Sequence, residues 1–159
     1  MRLPLVSGTS FLISQGTFGK DTHDEPGNEY NWDFDVPYGT QIVSIQDGTV
    51  LDVWEPPGNG GCDGSLCDTA HNIKIQHSDG TVAQYVHVKS FVEMGQHLKK
   101  GKVIGVTDNS GCICRPQLHF GVYQSVQQLY NSPDRKTIPL LFIGVGDGIL
   151  KTNHRYLAR

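Results

Sequence analysis

The sequence predicts an all-β domain built mainly from antiparallel strands, and three observations carry that expectation. Nineteen glycines and eight prolines make up 27 of the 159 residues, about 17% against ~12% in an average chain, which marks a turn-rich protein. Short apolar runs rich in Val, Ile and Tyr recur along nearly the whole length, two pairs of them separated by Asp-Gly. Helical periodicity is scarce. Nothing resembling a linker divides the chain, and its length suits one domain over residues 1–159, enough to bury roughly 70% of its unfolded surface.

Taken in order, Phe11–Ser14 reads as an outer strand. Ile42–Ile45 and Val50–Trp54 flank Asp47-Gly48, and Ile73–Ile75 and Val82–Val88 flank Asp79-Gly80. Each pair is predicted to form a hairpin, and the tetrapeptide Asp-Gly-Thr-Val stands at both turns, residues 47–50 and 79–82. Val103–Val106 and Leu118–Tyr123 complete the core strands. Ser125–Tyr130 is the one short helical piece, and Ile138–Phe142 reads as a second outer strand before a turn at Asp147-Gly148. Pro56–Gly64 and Thr107–Pro116 are loops, both bearing cysteines.

Charge is distributed unevenly. The net charge is −3, but the eleven acidic residues between Asp21 and Asp68 meet no Lys or Arg. A solvated acidic face and a cleft whose field favours a metal cation both account for this. An isoelectric point near 6.1 argues against a nucleic-acid partner. No apolar run approaches the ~18 residues of a membrane span. Met1–Val6 is too short an apolar stretch for a signal peptide, so the chain reads either as cytosolic or as a mature segment with an added Met.

Four cysteines, Cys62, Cys67, Cys112 and Cys114, allow three disulfide pairings. Disulfides are expected over a four-thiolate zinc site, because Cys-x-Cys does not fit the usual ligand spacing, with free cytosolic thiols as a further alternative. Cys62–Cys67 is the first pair expected, and disulfides imply a secreted or periplasmic location.

Seven histidines are present, and strand periodicity sorts them. In Gln117–Val122, Leu118, Phe120 and Val122 share one face, leaving Gln117 and His119 on the other. In Thr81–Val88, the same rule groups His87 with Ala83 and Tyr85. Asp33 and Asp35 flank Phe34, so both carboxylates point the same way. Imidazoles and a carboxylate from three segments can therefore converge on one metal.

The ordered motifs Asp33-Phe34-Asp35-Val36-Pro37-Tyr38-Gly39-Thr40, Ile45–Val50, Ile75–Gly80, Tyr85-Val86-His87-Val88, Gly95–Gly105 and Pro116-Gln117-Leu118-His119-Phe120 carry a resemblance over roughly residues 20–124. The chain resembles the lysostaphin-like zinc endopeptidases, the LytM-type family of bacterial cell-wall hydrolases. Residues 125–159 would form a C-terminal edge segment. The resemblance implies an antiparallel sheet beneath a loop-walled groove, with the two cysteine loops bordering it. It implies Zn2+ held by His23, Asp33 and His119, with water in the fourth position. The common family spacing, His-x3-Asp, would instead put Glu29 at the first ligand position; a longer-insertion pattern, His…Asn-x-Tyr-x-x-Asp, favours His23. His87 would be the general base. His77 reads as structural, His97 and His154 as surface residues, and His71 is left open.

One departure matters: Gln117 stands where the family carries the first histidine of His-x-His. Glutamine can donate a hydrogen bond to an oxyanion or a water but carries no proton. The expected function is a monomeric, zinc-dependent endopeptidase acting on peptidoglycan peptides. The alternative is a weak or inactive peptidoglycan-binding module that activates other hydrolases. A third resemblance, of Gly95–Gly105 to biotinyl or lipoyl carrier hairpins, lacks the Met-Lys or Asp-Lys setting a modifiable lysine needs.

Overall fold

A computed structural model describes residues 1–130 and 135–159. Eleven short strands follow in chain order: β1 (Ser10–Gln15), β2 (Trp32–Asp35), β3 (Gln41–Val43), β4 (Gly48–Trp54), β5 (Asn72–His77), β6 (Val82–Val86), β7 (Val88–Ser90), β8 (His97–Leu98), β9 (Val103–Thr107), β10 (Gln117–Tyr123) and β11 (Arg155–Leu157). A 3-10 helix occupies Gly64–Thr69, and one short α-helix, α1, spans Val126–Tyr130. The strands form an eight-stranded sheet in the order β11-β1-β2-β10-β6-β5-β4-β8 and a three-stranded sheet β3-β9-β7, with antiparallel pairing throughout.

The alternation predicted for the central strands decides where the core lies. Phe34 on β2, Leu118 and Phe120 on β10, Tyr85 on β6 and Ile73 and Ile75 on β5 are fully buried on one face of the large sheet. Ile42, Val88 and Ile104 from the small sheet join the same cluster. The Tyr85 hydroxyl, enclosed in it, accepts the Ile45 N–H at 3.1 Å, so its burial leaves no orphaned polar group. The opposite face of the large sheet is free to carry polar side chains.

The second predicted hairpin forms, with β5 and β6 joined through Asp79-Gly80 and Gly80 at φ +86. The first does not. β3 pairs with β9 in the small sheet, while β4 pairs with β5 and β8 in the large one, so Asp47-Gly48 carries the chain from one sheet to the other. Gly48 is not in the left-handed region a tight hairpin needs; its Cα lies so close to β5 that a Cβ would meet the Gln76 carbonyl at 2.5 Å. Asp47 is tied elsewhere, accepting from Lys99 Nζ (2.9 Å) and the Lys100 N–H (2.7 Å).

Two other expectations are corrected. Ile138–Phe142 forms no strand: it hangs on the Ile138 N–H to Val122 carbonyl bond (2.8 Å) and is anchored by the buried Leu140 and Phe142. Pro139 has no N–H for a ladder. The sheet is extended by β11 instead, which pairs with β1, so Phe11–Ser14 lies between two strands. The run Val82–Val88 is broken at His87, whose φ of +62 ends β6 and sends β7 into the small sheet.

Candidate active site

β2 and β10 are neighbours in a register that sets His119 directly opposite Asp33. Both project from the face opposite Phe34, Leu118 and Phe120, as alternation requires, and His119 Nδ1 lies 2.8 Å from Asp33 Oδ1. His23 arrives from the β1–β2 loop and is completely buried. Its Nδ1–H donates to the Gly16 carbonyl at 2.9 Å, which turns Nε2 towards Asp33 Oδ1 (3.6 Å) and His119 Nδ1 (3.5 Å). Glu29 is not part of this group; its carboxylate accepts the Gly27 N–H at 2.9 Å.

The donor set suits a metal. His23, Asp33 and His119 each offer a ligand atom, all within 4.8 Å of one another. Zinc bonds of about 2.0–2.1 Å in tetrahedral array set ligand atoms about 3.3 Å apart, close to the separations seen. Burial opposes ionisation of Asp33, but hydrogen bonds and charge from His119 and His23 outweigh it and hold the carboxyl well below the usual range. Burial likewise disfavours charge on His23, and Asp33 overrides it, raising that pKa. These forces keep a carboxylate and two imidazoles together around one point.

Two residues without any sequence signature support the group. Gln15, buried at the end of β1, donates from Nε2 to Asp33 Oδ2 (3.0 Å), while its Oε1 accepts the N–H groups of Asp21 and Thr22 beside His23. Asn31 places its amide 3.0 Å from His119 Nε2, and its Oδ1 is buried without a partner. Turned end for end, that amide would offer Oδ1 to the Nε2–H that ligation through Nδ1 requires. Only orientation in the fold could have singled these two out.

His87 and Gln117 line a cavity of about 360 Å³ together with Asp33 and His119. Strict alternation groups His87 with the core-facing Tyr85; its left-handed backbone turns it into this cavity instead. Its Nδ1–H donates to the Ser110 carbonyl at 2.7 Å, leaving Nε2 as the basic nitrogen. Burial lowers the His87 pKa, with the Ser110 bond opposing. Behind it, Ser110 Oγ donates to Asp108 Oδ1 (2.6 Å), and Asp108 Oδ2 faces His71 Nδ1 (2.6 Å). His71 is thus placed in the scaffold of His87. His77 is buried and bonded to Thr81 Oγ1 at 2.9 Å, and His97 and His154 are exposed, all away from the cavity.

The cysteines pair differently from expectation: Cys62–Cys114 and Cys67–Cys112, with none free. The two loops run side by side, joined by Gly60 N–H to Asn109 O (2.9 Å), Gly61 N–H to Gly111 O (3.0 Å) and Ile113 N–H to Gly61 O (2.9 Å). Each cysteine therefore meets one on the other loop before its own neighbour. Cys67 and Cys112 both line the cavity, and the same clamp holds the Ser110 carbonyl. Reduction of either bridge is expected to cost about 2–5 kcal/mol of stability. Activity and protease resistance of residues 56–70 should suffer before the β-core does. Unchanged activity and proteolysis after verified full reduction would refute this role.

A family model described as Peptidase family M23 matches residues 27–131. The chain belongs to peptidase family M23. Among curated relatives, the glycyl-glycine endopeptidase ALE-1 of Staphylococcus capitis is 32% identical over 97 residues, 59% of this chain and 24% of that protein. The peptidoglycan DD-endopeptidase ShyA of Vibrio cholerae is 30% identical over 89 residues, 55% of this chain and 18% of that protein. The chain thus spans less than a quarter of either relative's length. A solved structure of lysostaphin from Staphylococcus simulans shares the fold, with TM-score 0.59 and 21% identity over 81% of this chain and 47% of that one. The M23 family chain also aligns with the catalytic domain of a mutant of the prophage-encoded M23 protein EnpA from Enterococcus faecalis, at TM-score 0.58 and 20% identity, covering 85% of this chain and 92% of that one.

Proposed function

We propose that this M23 peptidase is a zinc-dependent endopeptidase that hydrolyses peptide cross-links of bacterial peptidoglycan outside the cytoplasm. The observation that carries the reading is the convergence of His23, Asp33 and His119 beside His87 in one cavity. The relatives named as endopeptidases of glycyl-glycine and DD bonds support the substrate class, and the two disulfides support the location. Zinc held by His23 Nε2, Asp33 Oδ1 and His119 Nδ1 would supply an acidified water and a polarised scissile carbonyl.

The chain's own groups do the rest. His87 Nε2 takes the proton of the attacking water and returns it to the leaving amine, its orientation set by the Ser110 carbonyl. Gln117 donates an amide N–H towards the carbonyl oxygen as negative charge develops there. Because Gln117 carries no proton, both transfers fall to His87.

Gln117 favours a second reading, a binding module that regulates other hydrolases. Mass spectrometry of purified cell wall digested with zinc-loaded protein separates the two. New peptide amines and carboxylates support hydrolysis; tight binding with no released peptide over many hours supports the module.

A further inference from the structure

The cavity bearing His87 and His119 shares Cys67, Ala70, Gln84, Val86 and Arg135 with a second one of about 500 Å³. Arg135 lines both. Its guanidinium is held in place: Nη2 donates to Gln84 Oε1 at 3.1 Å and to the Tyr123 hydroxyl, to which Nε also donates at 3.1 Å. The guanidinium carbon lies 4.9 Å from the Tyr123 ring centroid. Those partners are neutral. Among the described residues no carboxylate oxygen lies within 4 Å of this guanidinium, whereas the nearby Lys74 is paired with Asp52 at 2.7 Å. A cation held by neutral partners therefore lines the groove.

Register places its anchor, Gln84, along the sheet from the candidate site. Val86 lies opposite His119, and Gln84 opposite Gly121, two residues further along β6. That step is about 7 Å. In an extended peptide the carbon of the scissile carbonyl and the α-carboxyl carbon of the next residue are about 3.5 Å apart. An Arg–carboxylate contact spans about 2.8 Å more. The acyl-side residue has no free α-carboxylate so close, because that group is consumed in the amide. The amine-side residue has one when it is joined through its α-amine and ends a chain.

We propose that Arg135 is a specificity-determining residue that binds a free α-carboxylate on the residue supplying the scissile amine. The preferred substrates are then cross-links ending in such a carboxylate, in preference to uncharged glycyl runs. This rests on the endopeptidase reading and adds the substrate's charge and its position.

The test uses two capped peptides that differ only in whether the amine-side residue ends as carboxylate or carboxamide. With zinc-loaded full chain, kcat/KM should favour the carboxylate about tenfold to hundredfold, mainly through KM, as expected of a charge-assisted hydrogen bond. Arg135→Gln should bring that ratio towards one, and Arg135→Lys should keep part of it. A wild-type ratio near one overturns the proposal, as does an Arg135→Gln variant that weakens both peptides in equal proportion. If neither peptide is cleaved, cell-wall digestion still decides hydrolysis, and titration calorimetry reads the same ratio in dissociation constants. Equal binding of the two peptides overturns the role of Arg135; tighter carboxylate binding that Arg135→Gln abolishes sustains it.

Discussion

Replacing His119 by alanine is expected to leave the purified protein almost free of zinc and to abolish release of peptides from cell wall. His119 is in contact with Asp33 at 2.8 Å and within 3.5 Å of His23, so its removal takes one of three proposed ligand atoms and one of the charges that keep Asp33 ionised. Changes one shell further out already cost metal sites about 10–100-fold in affinity. Loss of a ligand should therefore exceed about 10²-fold, measured by competition with a chromophoric chelator. Glu29→Gln is the matched control: Glu29 faces the Gly27 N–H and stands outside the cluster, so zinc content should stay at one equivalent. A His119→Ala protein retaining one equivalent of zinc, or a Glu29→Gln protein losing it, would falsify this ligand set.

That cluster was largely legible in the sequence because period two is a local rule. Leu118 and Phe120 must be buried, so His119 must face away; Phe34 must be buried, so Asp33 must face away. The two apolar patterns fix both side chains before any long-range contact is known. His23 is different. It sits in a loop without periodicity, and only the resemblance to cell-wall hydrolases distinguished it from Glu29. Gln15 and Asn31 were not legible at all, since their part depends on which neighbour the folded chain puts beside a common amide side chain.

The failures have equally specific causes. Asp-Gly-Thr-Val occurs twice and does two things, because Gly80 has a left-handed backbone and Gly48 is used for close approach to β5. Local sequence does not contain that difference. Disulfide pairing is likewise settled by two loops lying side by side, 52 and 45 residues apart in the chain, where short spacing within each loop suggested Cys62–Cys67. The most consequential miss is one backbone angle at His87: it ends one strand, starts another in a different sheet and turns the imidazole from the core side to the cavity.

That same angle decides how His87 is best replaced. Loss of the His87 imidazole is expected to lower kcat by about 10²–10⁴-fold with zinc content unchanged, and towards the upper end because Gln117 cannot carry the proton instead. Asparagine is the better replacement, since it tolerates the left-handed region that His87 occupies, while alanine adds backbone strain. The pH profile gives a separate check. Burial lowers the His87 pKa, so the base is neutral at pH 7 and stays so to a lower pH than an ordinary histidine at about 6.5. The acid limb of kcat/KM should therefore fall below about 6.5, the rate dropping as pH falls through the depressed pKa and staying level above it. In His87→Asn the residual rate should lose that limb. A limb that persists unchanged, or a drop in kcat of less than about threefold, would return His87 to a structural part at the crossing between the two sheets.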